Sequence, residues 1–163
     1  MISEDLNALV QEVGRALKQH GLMLATAESC TGGWAAQMIT SVAGSSEWFE
    51  RGFVSYTNLA KREMLGVKTT ILSRYGAVSE QTARAMAEGA LAYSHAQVAF
   101  AITGIAGPSG GTPEKPVGTV CFAWAGKKRD TNSTKRIFTG DREAVRRLSV
   151  VTALQGLLEF LNA

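Results

Sequence analysis

Apolar residues recur along this chain with two periods, one typical of helices and one typical of strands. A spacing of three or four residues, which places apolar side chains on one face of a helix, marks six segments. The predicted helices cover residues 3–19, 34–40, 59–65, 69–75, a segment that begins at Ser79 and a segment that begins after Asp141. Asn58 is the predicted N-cap of helix 59–65, and Gly66 is the predicted end.

Shorter apolar runs between these helices predict strands at 22–25, 53–56, 98–102, 119–125 and 134–138. The run Val98-Ala99-Phe100-Ala101-Ile102 has no polar position, which is typical of a central strand buried on both faces. Segments 119–125 and 134–138 flank a basic turn, so they predict an antiparallel hairpin. Alternating helices and strands with a late hairpin predict one three-layer α/β/α domain with a mixed central sheet.

Two helices carry apolar stripes that predict their buried faces. In the helix after Ser79 the predicted inner residues are small, with Ala83, Met86, Ala87, Ala90 and Leu91. Small side chains allow a helix to pack closely on a sheet. In the last helix the predicted stripe is Val145, Leu148, Val151, Leu154, Leu158 and Leu161.

Composition limits the classes of protein that this chain can represent. Its 163 residues, 45% hydrophobic and 19% charged, suit a single globular domain over residues 1–163. No apolar run reaches the roughly 18 residues of a membrane-spanning helix, and the first residues do not resemble a signal peptide. We therefore expect a cytoplasmic protein with reduced thiols. A net charge of +3 suits an anionic small molecule and is too low to indicate nucleic-acid binding.

The segment Ala27-Glu28-Ser29-Cys30-Thr31-Gly32-Gly33 joins the strand at 22–25 to the helix at 34–40. The backbone N–H groups at the start of a helix attract anions, so such a turn can hold a phosphate or an oxyanion beside a nucleophile. An alternative interpretation remains open, in which Ser29 or Thr31 only caps the helix and the glycines only make the turn.

A second candidate is the loop over residues 103–117, with glycines at 104, 107, 110 and 111. Long loops in compact domains are often functional, and this one follows the strand predicted to be central. It matches neither the Walker loop nor the G-x-G-x-x-G pattern. Nucleotide binding and a purely structural loop are equally compatible with it.

Lysine is the candidate base for a serine nucleophile, because neither His20 nor His95 occupies a setting typical of a catalytic triad. Lys61 follows Tyr56 by five residues across a strand-to-helix corner, so the two side chains could face one cleft. Tyr56 could there relay the proton or hold Lys61 in place. A lysine titrates near 10.4 in water and needs desolvation to act as a base at neutral pH. The alternative is that Lys61 is an ordinary surface lysine.

The remaining reactive side chains suggest no further site. Cys30 adjoins Ser29, but without a histidine partner a buried, inert thiol is expected. The spacings of the cysteines and histidines are not those of a zinc site, so no metal and no cofactor is predicted. Arg142 follows the predicted cap Asp141 and could hold a phosphate. It could equally belong to a solvated basic face with Arg146 and Arg147.

Six motifs occur together in one order across nearly the whole chain. They are Ala-Glu-Ser-Cys-Thr-Gly-Gly at 27–33, Gly-Phe-Val-Ser-Tyr-x-Asn-x-x-Lys at 52–61, Gly-Ala-Val-Ser-Glu at 76–80, Thr-Gly-Ile-Ala-Gly-Pro at 103–108, Lys-Pro-Val-Gly-Thr-Val at 115–120 and Gly-Asp-Arg at 140–142. Together they resemble the CinA C-terminal domain family. The sequence is similar to the stand-alone form of that domain, without the molybdopterin-binding-like domain of longer members.

The resemblance implies an amidohydrolase that converts nicotinamide mononucleotide to nicotinate mononucleotide and ammonia, in pyridine nucleotide recycling. It implies that Ser29 is the nucleophile and that Tyr56 and Lys61 activate it. It also implies a set of substrate-binding residues that comprises Thr31, Gly32, Gly33, Thr103, Gly104, Ala106, Gly107 and Arg142.

Two other functions stay open at the level of sequence. A non-catalytic, nucleotide-binding relative acting through protein partners would keep the fold without the reaction. Binding to DNA is suggested only by the family's name, and the low charge argues against it. The apolar faces and the small-residue helix are compatible with a homodimer.

Overall fold

The structure is a computed structural model that describes the backbone of residues 2–163 and the side chains of residues 5–163. Six helices and five strands lie within the described residues. The helices are α1 (Ile2–His20), α2 (Trp34–Thr40), α3 (Asn58–Leu65), α4 (Thr69–Tyr75), α5 (Glu80–Ala92) and α6 (Arg142–Asn162). The strands are β1 (Leu24–Glu28), β2 (Phe49–Val54), β3 (Val98–Gly104), β4 (Thr119–Gly126) and β5 (Arg129–Ile137).

The strands form one mixed sheet in the order β2-β1-β3-β4-β5. Strand β1 runs parallel to both β2 and β3, whereas β3–β4 and β4–β5 are antiparallel. The predicted α/β fold with a mixed sheet and a central β3 is therefore confirmed. Glu28 pairs with Ile102 and Gly104 pairs with Val120, so β1 and β3 end at the edge of the sheet where β4 begins.

The two faces of the sheet differ in the size of their side chains. Helices α1, α2 and α6 cover a face of large residues such as Phe100, Phe122 and Trp124. Helices α3, α4 and α5 cover a face of small residues such as Ala99, Ala101 and Ala123. Successive side chains of a strand point to opposite faces of the sheet, so alternating large and small residues give one bulky face and one flat face. Helix α5 packs closely on the flat face, and α6 lies further from the sheet on the bulky face.

The buried face of α6 differs from the predicted stripe. Val145, Leu154 and Leu161 are buried as predicted, but Leu148 is 37% exposed, and Val151 and Leu158 are only half buried. The inner face also includes Ser149, Val150, Ala153, Leu157 and Phe160. Valine and leucine occur around most of this helix, so the spacing alone did not identify its inner face.

Element boundaries also moved at the two strands next to the site. Strand β1 begins and ends later than predicted, because the buried Thr26 and Glu28 interrupt an otherwise apolar strand. Strand β2 covers Phe49–Val54, so Ser55 and Tyr56 follow the strand and do not belong to it. The α3 cap is Thr57, whose Oγ1 accepts the N–H of Ala60 at 3.1 Å, and not Asn58.

Candidate active site

The turn after β1 carries Ser29 at the edge of the sheet. The Ser29 N–H donates to the carbonyl of Ile102 at 2.9 Å, which continues the pairing of β1 with β3 by one residue. The Ser29 carbonyl accepts the N–H of Gly32 at 3.0 Å and closes the turn. Gly32 and Gly33 have φ of +60° and +101°, which is the left-handed region that side chains disfavour. The glycines therefore let the chain reverse between strand and helix within a few residues.

Lys61 lies in the first half of α3, with its side chain buried to 1% exposure. Its Nζ lies 3.0 Å from Ser29 Oγ, 3.2 Å from the Ser55 carbonyl oxygen and 2.9 Å from the Tyr56 carbonyl oxygen. The Lys61 amine thus lies beside the Ser29 hydroxyl and the Tyr56 backbone, and the predicted interpretation in which Lys61 faces a cleft with Tyr56 fits this buried position. The alternative of a surface lysine does not.

The surroundings of Lys61 favour the uncharged amine. Burial lowers the pKa of Lys61 below its ordinary value, and the effect of the nearby Cys30 in the opposite direction is the smaller of the two. The ion pairs found over residues 5–163, Lys18–Glu47 and Arg51–Glu50, do not include Lys61. A neutral amine can donate to the two carbonyls and accept the Ser29 hydroxyl proton when that hydroxyl rotates away from the Tyr56 carbonyl.

Tyr56 meets Lys61 through its backbone and not through its phenol. The Tyr56 carbonyl accepts hydrogen bonds from both Lys61 Nζ and Ser29 Oγ, the latter at 3.1 Å. Its side chain is 57% exposed, and its Oη lies 3.5 Å from Arg142 Nη2. A proton relay through the Tyr56 phenol is therefore not supported by the geometry. The predicted role of holding Lys61 in place falls to the main chain.

A cavity of about 410 Å³ opens beside the Ser29 hydroxyl, within the size range of small-molecule sites. The other predicted site residues on its wall are Tyr56, Lys61, Thr103, Gly104, Ala106, Gly107 and Arg142. The Arg142 guanidinium donates from Nη1 to the Gly107 carbonyl at 2.8 Å, so it stands at the glycine-rich side of the cavity. Thr103 Oγ1 donates to the Ala77 carbonyl at 2.8 Å, which anchors the end of β3.

Thr31, Gly32 and Gly33, which are also predicted to bind substrate, do not line this cavity. Thr31 is fully buried, and its hydroxyl donates to Glu28 Oε1 at 2.6 Å. The Glu28 carboxylate also accepts the N–H groups of Ala35 and Ala36 at 2.9 and 3.1 Å. A side chain of the protein therefore occupies the start of α2, where an anionic ligand was expected.

Sequence reasoning overlooked two residues at this turn, Glu28 and Arg146. Arg146 was grouped with a solvated basic face, yet it donates to the Cys30 and Thr31 carbonyls at 3.0 and 3.1 Å. Its guanidinium also lies 5.5 Å from the ring centroid of Trp34. The signal for Glu28 was present, since a carboxylate at the end of an all-buried strand needs a specific partner.

Neither thiol and neither imidazole is suited to act as nucleophile or base here, although Cys30 lines the cavity beside Ser29. Burial raises the pKa of Cys30 to about 12 and that of Cys121 to about 11. Both thiols are buried and stay protonated, as predicted for Cys30. His20 Nδ1 lies 2.8 Å from the Ala16 carbonyl at the end of α1, and His95 is exposed.

The described residues contain neither a cluster of metal-binding side chains nor a helix suited to cross a membrane. Within that part of the chain, no three side chains of the metal-binding types His, Cys, Asp and Glu lie close enough to hold an ion. No helix over residues 2–163 combines the length and apolarity that crossing a bilayer requires.

Comparison with known proteins gives the same relatives by sequence and by structure. The profile of the CinA C-terminal domain matches residues 6–161. The chain is 52% identical over 157 residues to nicotinamide-nucleotide amidohydrolase PncC of Escherichia coli K12, covering 96% of this chain and 95% of that protein. It is 48% identical over 156 residues to the PncC of Pseudomonas putida, with coverages of 96% and 97%.

Solved structures from the same group superpose closely. The competence/damage inducible protein CihA from Agrobacterium tumefaciens matches with a TM-score of 0.93 and 48% identity, over 98% of this chain and 96% of that one. A CinA superfamily protein from Escherichia coli matches with a TM-score of 0.91 and 40% identity, over 95% and 90% of the two chains. Similarity therefore extends over almost the whole fold.

Proposed function

The chain belongs to the CinA C-terminal domain family, and we propose that it hydrolyses the carboxamide of nicotinamide mononucleotide to nicotinate mononucleotide and ammonia. Relatives at 52% and 48% identity over nearly their full length are named nicotinamide-nucleotide amidohydrolase. The observation that carries the proposal is the 3.0 Å contact between a buried lysine amine and a serine hydroxyl on the wall of a cavity.

The first step is attack by Ser29 Oγ on the carboxamide carbon. The neutral Lys61 amine takes the hydroxyl proton as the new C–O bond forms, and the carbonyl π electrons move onto oxygen. The carbonyls of Ser55 and Tyr56 hold the amine in place before and after it is charged. The positive charge of the substrate's pyridinium ring makes the carboxamide carbon more electrophilic.

The N–H of Gly104 is our candidate donor to the oxyanion. Ile105 donates its N–H to the Thr119 carbonyl on the β4 side. Because N–H directions alternate along a strand, the Gly104 N–H faces the β1 side, next to Ser29. The Gly32 N–H is already bonded to the Ser29 carbonyl, so it is a poorer candidate. One such donor typically lowers the barrier by about 2.7–4 kcal/mol.

The second half of the reaction releases the products. The Lys61 ammonium returns its proton to the leaving nitrogen as the C–N bond breaks, and ammonia departs. Water then attacks the ester carbon on Ser29 while Lys61 accepts a proton from the water. The bond between that carbon and Ser29 Oγ breaks, Lys61 returns the proton to Ser29 Oγ, and nicotinate mononucleotide is released, which restores the starting state of both side chains. Each step moves protons and electron pairs between groups already named, so none requires a metal or a redox cofactor.

Arg142 and the glycine-rich wall are our candidates for holding the rest of the substrate. The Arg142 guanidinium lies at the cavity beside the Gly107 carbonyl, where it can bind a phosphate through two N–H groups. Thr103, Gly104, Ala106 and Gly107 offer backbone groups and little steric bulk on the same side. The cavity wall over the described residues contains no carboxylate, which suits an anionic nucleotide.

Ammonia release from purified protein and nicotinamide mononucleotide tests the proposal. Ammonia production by the wild type that is lost in Ser29→Ala would support it. The rival is a non-catalytic, nucleotide-binding relative. A protein that binds the nucleotide by calorimetry and yields no ammonia above background would establish that rival instead.

A further inference from the structure

The turn that carries Ser29 is held from its inner side by Glu28. This carboxylate is 1% exposed and accepts three hydrogen bonds, from the Thr31 hydroxyl and from the N–H groups of Ala35 and Ala36. It therefore ties the two ends of the turn together, at the positive end of α2. Neither ion pair found over residues 5–163 includes Glu28.

Arg146 holds the same turn from its outer side. Its Nε and Nη2 donate to two successive carbonyls, those of Cys30 and Thr31. The guanidinium also lies over the Trp34 ring, which follows the turn at the start of α2. Glu28 in the core and Arg146 on α6, two side chains of opposite charge, thus contact both ends of the turn, at Cys30 and Thr31 before the glycines and at residues 34–36 after them.

The backbone of Glu28 also connects the turn to the segment that holds Lys61. The Glu28 carbonyl accepts the Ser55 N–H at 2.8 Å and lies 3.3 Å from the Ser55 hydroxyl. The Ser55 carbonyl in turn accepts a hydrogen bond from Lys61 Nζ. Movement of Glu28 would therefore change the position of the nucleophile and the position of the base together.

Neither side chain is needed to contact substrate, since neither lies on the cavity wall. Burial of a carboxylate at the end of an apolar strand makes the free energy of folding less favourable, because the charge loses its hydration. Its hydrogen bonds end on the turn and on the start of α2, so its effect is to fix that turn.

We propose that Glu28 and Arg146 are positioning residues that hold Ser29 Oγ within reach of Lys61. The inference rests on the proposed function in one respect, that Ser29 is the nucleophile. Since a displacement of about 1 Å in a catalytic group can cost about 100-fold in rate, loss of either residue lowers kcat by about 10- to 100-fold. KM changes little, because the cavity wall is kept.

Chemical rescue of two truncated variants tests this inference. In Glu28→Ala, added formate can occupy the vacated site at the start of α2 and restore kcat. In Arg146→Ala, added guanidinium at millimolar concentration can do the same. Each small ion restores only its own variant, which a general loss of stability does not explain. Glu63→Ala and Arg147→Ala are matched controls, since Glu63 is exposed and Arg147 is half buried and both lie on elements next to the site.

A second readout does not depend on the natural substrate. The rate at which a small fluorophosphonate labels Ser29, followed by mass spectrometry, reports the reactivity of the hydroxyl alone. We expect slower labelling in both variants and rescue by the same ions. Arg146→Lys and Thr31→Val serve in the same assays if a truncated variant does not fold, and slower labelling is expected in both.

The outcomes separate this inference from the proposed function. Folded variants with wild-type kcat and wild-type labelling would overturn the positioning role and leave the amidohydrolase proposal intact. A wild type that labels at Ser29 but releases no ammonia would overturn the amidohydrolase proposal, and the labelling rates would still decide the positioning role. A wild type that is not labelled at Ser29 would overturn both.

Discussion

Lys61 Nζ and Ser29 Oγ lie 3.0 Å apart, although 32 positions separate the two residues in the chain. Two neighbouring carbonyls, those of Ser55 and Tyr56, complete the surroundings of the amine. The arrangement gives a serine hydroxyl a base that is buried, has a pKa lowered by that burial and is fixed in direction.

The activity should depend on pH through Lys61. Only the unprotonated amine can accept the Ser29 proton, so kcat/KM should rise as pH rises through the pKa of Lys61. Because burial lowers that pKa, the rise should level off below the ordinary lysine value of 10.5. Initial rates of ammonia release across pH, at constant ionic strength, measure the profile. A kcat/KM that does not change with pH below 10.5 would show that Lys61 is not the base.

Lys61→Met should lower kcat by about 100- to 10,000-fold, the usual contribution of a general base. Methionine has a similar length and keeps the buried space filled, so the fold should be preserved. Lys68→Met is a matched control, because Lys68 is exposed at the start of α4. Comparable rates for Lys61→Met and the control would contradict the role of Lys61.

Tyr56→Phe should lower kcat far less than Lys61→Met does. The contact with Lys61 comes from the Tyr56 carbonyl, which the substitution keeps, whereas the phenol is exposed beside Arg142. Any loss should be in KM, through the hydroxyl at the mouth of the cavity. Steady-state kinetics separate the two constants. A fall in kcat as large as that of Lys61→Met would restore the proton relay through the phenol.

Cys30→Ala should lower kcat far less than Ser29→Ala does. With a pKa of about 12, the Cys30 thiol has almost no thiolate at neutral pH and cannot replace the serine as nucleophile. Turnover of both variants under identical conditions makes the comparison. If Cys30→Ala lost activity while Ser29→Ala retained it, the thiol would be the nucleophile.

Gly89→Ala should destabilise the protein, although alanine favours helices. A Cβ at Gly89 would stand 2.0 Å from the Leu65 carbonyl oxygen at the end of α3, so α5 and α3 would have to separate. We expect a net loss of about 1–3 kcal/mol from overpacking, larger than the gain of about 1 kcal/mol in helix propensity. Thermal unfolding measures the change, and exposed Gln81→Ala on α5 is the control. An unchanged or higher Tm would refute this packing.

The sequence predicted the architecture well because the strong patterns were buried ones. The apolar run of β3 identified the central strand, and Asp141 was correctly identified as a helix cap. The helix predicted to begin at Ser79 begins at Glu80, with Ser79 as its cap. The edge strand β2 was placed too late, since its side chains are only partly buried and its pattern is weak. Spacing failed for α6, where apolar residues lie on several faces.

The candidate site could be predicted only in part. Motif resemblance named Ser29, Lys61 and the loop residues that line the cavity. It gave no reason to expect that the Glu28 carboxylate fills the start of α2, because that depends on which side chain the folded turn encloses. The contact between the Tyr56 carbonyl and Lys61 could not be predicted either, because every residue type has a backbone carbonyl.

Ammonia release from nicotinamide mononucleotide, measured for the wild type and for Ser29→Ala in parallel, is the most direct test of the account. The wild type is expected to produce ammonia and nicotinate mononucleotide in equal amounts, and the variant, folded as judged by circular dichroism, is expected to produce neither above background. Equal rates for the two proteins would contradict the assignment of Ser29 as the nucleophile.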